Sequence, residues 1–451
     1  MTKDLTQGEP AKLILFFTLP LLAGNIFQQL YAFVDTLIVG RFLGVEALAA
    51  VGCTGALMFL VLGFIMGFSG GLTIYTGQRF GAGDAAGVRR SCAACIVLSV
   101  IVGIFMTAFS VAICRQLLIW MQTPDAIIDG AYAFISIIYL SIPIFVLLHT
   151  QSNLIRALGD SRTPTIIMAI GLTTNIVLEP VAIVVLDWGI PGAALATVTS
   201  QTIGMVLTYV HIRRKVPALH THAADWRPDR HLYWEHLRLA LPMGFQSSII
   251  AIGAVVLQAA LNTLGPTAVA SYAAAQKIES VAMMPMMSFG IAMAAYTAQN
   301  YGAQKFHRIG EGVRKCSYMS LAFSVVAGVT LVFFSPEILG LFVGDDPGAP
   351  DVIAFGHEYL IVNGAMYWVL SLLFIFRSTL QGLGQSVVPT VAGIMELVMR
   401  TAAAFGLVGW LGFLGACLAN PMAWVGSCVP LVIAFFWTWR GFKRRIDLET
   451  V

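Results

Sequence analysis

The chain has 451 residues, of which 58% are apolar and only 11% charged, with a mean hydropathy of +0.82. That balance excludes an ordinary soluble domain, and a net charge of +3 gives no reason to expect a nucleic-acid partner. Seven cysteines, mostly inside apolar runs, supply no disulfide framework. Cys92 and Cys95 stand one helical turn apart at the start of an apolar segment, where packing explains them better than redox chemistry.

A helix needs roughly 20 apolar residues to cross the hydrocarbon core. Twelve stretches qualify: 13–40, 47–78, 92–114, 131–157, 164–187, 192–212, 237–263, 267–300, 316–335, 356–382, 389–409 and 412–438. They are too long and too uniformly apolar for barrel strands, so the expected fold is an all-α polytopic membrane protein. The run from Leu13 to Val39 is longer than a signal h-region and lacks a basic leader, so it is expected to stay as the first span. If the amino terminus is cytoplasmic, all of the 26 lysines and arginines except Arg41, Arg115, Lys277 and Arg400 fall on the cytoplasmic side. Arg377 and the basic tail Arg440, Lys443, Arg444 and Arg445 are counted there. Both termini are therefore expected in the cytoplasm. The longest loop contains His220, His222 and His231 and reads as a solvated linker before a metal site. It divides the chain into an amino-terminal bundle (1–212), a linker (213–236) and a carboxy-terminal bundle with a short basic tail (237–451).

The two bundles resemble each other. Gly44 to Gly81 and Gly265 to Gly302 have equal length and align Phe68 with Phe289, Tyr75-Thr76 with Tyr296-Thr297 and Gln78 with Gln299. Leu19-Pro20 returns as Leu241-Pro242, Leu158-Gly159-x-Ser161-x-x-Pro164-Thr165 as Leu383-Gly384-x-Ser386-x-x-Pro389-Thr390, and Gly189-x-x-Gly192-Ala193 as Gly412-x-x-Gly415-Ala416. An even number of spans per repeat keeps the orientation. The halves are expected to be related by an axis along the membrane normal and to enclose a central cavity. Pro20, inside the first span, removes a backbone hydrogen bond and favours a bend. Gly63, Gly67 and Gly71 on the second span suit close helix packing.

Ionisable residues at membrane depth are costly and therefore functional candidates. Counting the helical rise per residue places Asp35 of the first span and Glu179 of the fifth in one layer. Asn175 lies one turn from Glu179, and Thr197 of the sixth span is at similar depth. Two carboxylates, an amide and a hydroxyl make a hard-oxygen site suited to a proton or Na⁺. In the second half, Val256 or Leu257 and Ala404 stand opposite Asp35 and Glu179, so the site is one-sided. Glu396 and Arg400, four residues apart, are expected to pair along their helix. Lys277 and Glu279 cannot share a face. Glu279, Glu396 and Arg400, with Met283 and Met287 as an adaptable apolar surface, are candidates for a substrate cavity or for structural roles.

These residues together resemble the MATE (multidrug and toxic compound extrusion) family over essentially the whole chain. The likeness rests on Leu19-Pro20, Val34-Asp35-Thr36 through Gly44, Gln78-Arg-Phe-Gly81-Ala-Gly-Asp84, Arg156-Ala-Leu-Gly159-Asp-Ser-Arg-Thr-Pro164, Asn175-Ile-Val-Leu-Glu179-Pro180 and Gly192-Ala-Ala-Leu-Ala-Thr197. The resemblance implies efflux of cationic or amphipathic small molecules in exchange for H⁺ or Na⁺ by alternating access. No other cofactor and no enzymatic activity are implied, and function as a monomer in the bacterial inner membrane is expected. In DinF-like members an Asp, an Asn with an acid one turn on, and a Thr form the amino-terminal cation site. Those positions match Asp35, Asn175, Glu179 and Thr197, with Glu at 179 where Asp is usual, and the bending proline matches Pro20. The NorM-like branch uses acids on the seventh and tenth spans, which are not evident here, so the DinF-like branch is expected. The rival readings are a flippase for lipid or lipid-linked oligosaccharide, which usually has more intramembrane basic residues, then a membrane-embedded enzyme or a channel.

Overall fold

The computed structural model describes residues 3–343 and 348–449, and the side chain of Arg445, counted with the basic tail, lies outside the described set. Its helices are α1 (Pro10–Cys53), α2 (Gly55–Gly81), α3 (Ala85–Trp120), α4 (Asp125–Leu140), α5 (Ile142–Ala157), α6 (Arg162–Pro180), α7 (Gly189–Lys215), α8 (Arg230–Asn262), α9 (Pro266–Gly302), α10 (Phe306–Val343), α11 (Ala349–Gly364), α12 (Tyr367–Gly382), α13 (Val387–Ala402), α14 (Val408–Leu411) and α15 (Phe413–Glu449). No strand occurs among the described residues. Ten helical segments are each long and apolar enough to cross a bilayer. Two bent pairs, α4 with α5 at 48° and α11 with α12 at 50°, bring the spans to twelve if each pair crosses once. Every stretch predicted from hydropathy falls on these helices, although 47–78 crosses the α1–α2 break, 131–157 and 356–382 each cover a bent pair, and 164–187 and 389–409 run through π-helical turns. Helix α1 is continuous through Pro20 and kinks only at Gly44, where φ is 85°.

The chain forms two compact units. Unit 1 comprises residues 1–4 and 19–244; unit 2 comprises 5–18 and 245–451. Each unit therefore includes a short stretch from the sequence of the other half, and the changes of unit fall beside the repeated prolines Pro20 and Pro242. In unit 1 the first turns of α8 dock on α2 and α3. His236 is fully buried there, its Nδ1 2.7 Å from the Leu72 carbonyl and its Nε2 3.1 Å from Ser91 Oγ. In unit 2 the segment before α1 is held by polar side chains: Leu5 N–H donates to Gln299 Oε1 (2.9 Å), Asn300 Nδ2 donates to the Leu5 carbonyl (3.2 Å) and Lys305 Nζ to that of Thr6 (3.0 Å).

The repeat extends to the way each unit accommodates its bend. Gly103 of α3 presses on Pro143 at the α4–α5 break, and Gly328 of α10 presses on Gly364 at the α11–α12 break. A side chain at either glycine would meet backbone and push the bent span away.

Gly71 makes a similar close approach, since a Cβ there would stand 2.6 Å from the Ala240 Cα. Backbone against backbone leaves no flexible atom to yield. Gly71→Ala is expected to destabilise unit 1 by about 1–3 kcal/mol, the usual range for overpacking. Thermal unfolding of the detergent-solubilised protein measures this as a lowered Tm. An unchanged Tm would mean that the start of α8 is not rigidly seated on α2.

The linker is more ordered than expected from its polar composition. Helix α7 runs to Lys215, two 3₁₀ turns follow at Pro217–Leu219 and Ala223–Trp226, and α8 begins at Arg230. Its acids pair with the start of α3, Arg89 with Asp225 at 3.5 Å and Arg90 with Asp229 at 2.7 Å. His220 Nε2 is 3.0 Å from the Ile212 carbonyl, and His222 lies 3.5 Å from Asp225. No cluster of three metal-ligating side chains occurs among the described residues.

Candidate functional site

Asp35 on α1, Asn175 and Glu179 on α6 and Thr197 on α7 all belong to unit 1 and come together in one cluster, with Asp35 half-buried and the other three buried. Asn175 and Glu179 are one turn apart, so both side chains leave α6 on the same face, and both are fully buried. Thr197 links Asn175 to α1: Asn175 Nδ2 donates to Thr197 Oγ1 at 3.5 Å, and Thr197 Oγ1 donates to Asp35 Oδ1 at 3.5 Å. Both distances are long for hydrogen bonds. The Glu179 and Asp35 carboxyls are close enough to interact electrostatically. Yet no N–H or O–H group of the described residues donates to either Glu179 oxygen, and Asn175 Oδ1 also lacks a donor. The cluster is thus rich in inward-facing oxygen acceptors and poor in donors, an arrangement that suits a proton or a small hard cation.

Two features of this site escaped the sequence reading. Tyr31, one turn before Asp35 on α1, shares a hydrogen bond of 3.3 Å with Ser200 Oγ, and Ser200 Oγ in turn donates to the Thr197 carbonyl at 2.8 Å. The i, i+4 spacing of Tyr31 and Asp35 was the available signal. Immediately after Glu179-Pro180 the backbone widens into a π-helical turn, Val181–Val185. A second π turn, Ala403–Leu407, follows α13 in unit 2. Such turns often mark functional sites, and they carry no residue signature that sequence inspection could use.

Unit 2 holds a different polar network. Glu279 on α9 is buried and accepts a 2.6 Å hydrogen bond from the Tyr359 hydroxyl. Asn420 Nδ2 donates to the Tyr359 oxygen at 2.8 Å, and Arg400 Nε donates to Asn420 Oδ1 at 3.1 Å. Every donor in this chain points towards Glu279, so Arg400 polarises the carboxylate through two intermediates. Glu279 Oε1 is left without a hydrogen-bond partner.

The expected Glu396–Arg400 pair is present at 3.7 Å, but the closer partner of Glu396 is Arg377 of α12, which also donates to Ser427 Oγ at 3.1 Å. The structure adds the burial of Arg377, which a count of basic residues by side does not register. Arg377 is buried within unit 2, more than a turn inside the end of α12, and turned towards the carboxylate of α13. Inspection of spacing along one helix detected Arg400 and could not detect a partner from another. Lys277 is exposed, and Met283 and Met287 lie half-buried on the same face of α9 as Glu279. The sequence Gly67-Phe-Ser69-Gly-Gly71 formally fits a nucleophile-elbow pattern, but it lies in the middle of α2 with no strand before it.

Comparison with known proteins accords with this arrangement. The family profile described as MatE matches residues 20–181 and again 242–405, one match in each half. The chain is 28% identical over 444 residues to the "Probable multidrug resistance protein YpnP" of Bacillus subtilis (strain 168), covering 98% of each. It is 24% identical over 416 residues to the "FAD transporter" of Shewanella oneidensis (strain MR-1), covering 91% of each. Among solved structures, one described as "Crystal structure of MATE in complex with MaL6" superposes with a TM-score of 0.90 at 22% identity, covering 98% of this chain and 100% of the other. With the all-helical fold, the duplicated profile and these relatives in agreement, the chain belongs to the MATE family of multi-pass membrane transporters and is not an enzyme.

Proposed function

We propose that the protein is a secondary active efflux transporter that exchanges H⁺ or Na⁺ for cationic or amphipathic small molecules by alternating access. Asp35, Asn175, Glu179 and Thr197 are its coupling-ion site. The observation that carries this reading is the donor-poor meeting of Asp35 and Glu179, in which neither Glu179 oxygen receives a hydrogen bond. Two carboxylates in a medium of low dielectric repel each other unless a proton or a cation lies between them. Binding there on one side of the membrane and release on the other would couple the ion gradient to the conformational cycle, provided affinity differs between the two states. Loading would act on α1, which carries both Asp35 and Pro20, so Pro20 is the proposed bending point. The one-sided distribution of these acids favours the DinF-like branch.

In unit 2, Glu279 with Met283 and Met287 is the proposed substrate-contacting face, because Glu279 Oε1 has no hydrogen-bond partner whereas the Glu396 carboxylate is engaged by Arg377 and Arg400. Glu396, Arg377 and Arg400 are assigned a structural role, since the Glu396 carboxylate is shared between the two arginines and Arg400 is further held by Asn420. That pairing also disfavours a flippase that would grip an anionic lipid-linked headgroup with these arginines. The two halves, joined by the 213–236 linker, are the proposed moving parts of a monomer in the bacterial inner membrane with both termini cytoplasmic.

Efflux of a panel of fluorescent cations from proteoliposomes, with Na⁺ and pH gradients imposed separately, tests this function. Efflux accelerated by one gradient identifies the coupling ion. Equal efflux under either gradient and under none overturns the proposal. Replacing Glu179 by Asp shortens the reach of one ligand and is expected to change the apparent affinity for the ion several-fold without abolishing transport, as measured by the ion dependence of the initial rate.

A further inference from the structure

The linker end of unit 1 carries a charge distribution that the transport site does not use. Four consecutive residues at the start of α3 gather the linker onto one level. Arg89 pairs with Asp225, Arg90 with Asp229, Ser91 hydrogen-bonds His236, and Cys92 Sγ lies 3.8 Å from the Leu219 carbonyl. The two aspartates are therefore both paired with arginines of α3. The basic residues beside them are not. Arg213, Arg214, Lys215, Arg227 and Arg230 are all exposed, and none has a carboxylate within ion-pair distance among the described residues. Trp226 is 41% exposed and Trp234 60% exposed at the same level, and the Arg213 guanidinium lies 5.9 Å from the ring centroid of the exposed Tyr209.

Exposed tryptophan and tyrosine beside uncompensated basic residues, at the end of membrane-spanning helices, is the composition of a headgroup-level contact. The rings tolerate the boundary between hydrocarbon and water, and the cations seek phosphate. A solvated polar face would have no use for two exposed indoles. Nor would it require its acids to be neutralised by α3 while its own basic residues stay exposed and unpaired.

We propose that this collar of unit 1, formed by Trp226, Trp234 and the basic residues on either side of them, binds anionic phospholipid headgroups of the adjoining leaflet. Lipid composition at that leaflet then bears on the segment where α8 begins, because Asp229, Trp234 and His236 lie on one short stretch of chain.

Native mass spectrometry of the full chain, titrated with phosphatidylglycerol or phosphatidylcholine, tests the proposal. Phosphatidylglycerol is expected to be retained preferentially, and more weakly as salt rises. Arg227→Gln/Arg230→Gln should weaken that retention by about fivefold for each arginine removed, following the usual contribution of a basic residue near an anionic surface. Arg227→Lys/Arg230→Lys should restore most of it, and Arg41→Gln/Arg115→Gln, at the other end of the helices, should leave it unchanged. Trp226→Phe/Trp234→Phe should weaken retention of phosphatidylglycerol less than the arginine pair does. All these side chains are exposed, and an unaltered Tm in lipid-free detergent confirms that the variants fold. Equal retention of both lipids, equal loss in the Arg41/Arg115 control, or displacement of the lipid by an equal concentration of inorganic phosphate would overturn it.

Discussion

Asp35→Asn is expected to reduce ion-driven efflux in proteoliposomes by one to two orders of magnitude while leaving the protein folded. Asparagine has nearly the same shape and still offers Thr197 Oγ1 an oxygen to donate to, so the link from α7 to α1 survives. The negative charge that holds a proton or Na⁺ opposite Glu179 is lost. An interaction with a charged partner is worth about 1.5–3 kcal/mol, which corresponds to roughly tenfold to more than a hundredfold in an equilibrium constant. Because coupling requires differential affinity between the two states, weakening the ion in both removes the drive rather than the pathway. Equilibrium binding of a fluorescent substrate should therefore persist in the variant. Glu179→Gln should behave similarly, whereas Thr197→Ala, which removes a neutral ligand, should cost less. Undiminished gradient-driven efflux by Asp35→Asn would reject the assignment of the site.

The difference between what could and could not be read from the sequence lies in which interactions run along the chain and which run across it. Hydropathy runs predicted all twelve stretches, because in lipid each span must satisfy its own backbone and so leaves a local record. Depth counting along single helices brought Asp35, Asn175, Glu179 and Thr197 into one layer, and the structure links Asn175, Thr197 and Asp35 by long hydrogen bonds, with Glu179 buried one turn from Asn175. Tyr31 was overlooked even though its spacing from Asp35 was visible, because a tyrosine in an apolar run reads as packing. Tyr359 and Asn420 reach Glu279 and Arg400 from other helices, and no periodicity in α9 or α13 announces them. The contacts of the linker were out of reach for a related reason. Its composition is that of a solvated loop, but Asp225 and Asp229 find Arg89 and Arg90 more than a hundred residues earlier in the chain.

Cross-helix pairing also sets the second large expected effect, at Glu396. Its carboxylate lies between Arg377 and Arg400, and all three side chains are buried. Glu396→Gln keeps the shape and leaves Arg377 with only the Ser427 hydroxyl and the new amide oxygen for its charge. Breaking a buried ion pair from one side is strongly destabilising, by about 3–5 kcal/mol, because the remaining charge is uncompensated. A fall in Tm by many degrees is expected in detergent. Removing both partners should be gentler: Arg377→Met/Glu396→Met is expected to lie closer to the wild type than Glu396→Met alone, since an apolar pair of similar volume can replace an ionic one. Arg400 tolerates the double change because its Nε still reaches Asn420, and through Tyr359 the Glu279 carboxylate. The alternative role for Glu396, direct contact with the exported solute, makes the opposite prediction. Glu396→Gln would then raise the apparent KM for a cationic substrate with little change in Tm, and the double substitution would transport no better than the single one. Comparing Tm and KM across these three variants separates a structural ion pair from a substrate ligand, because only the structural role makes loss of both charges less harmful than loss of one.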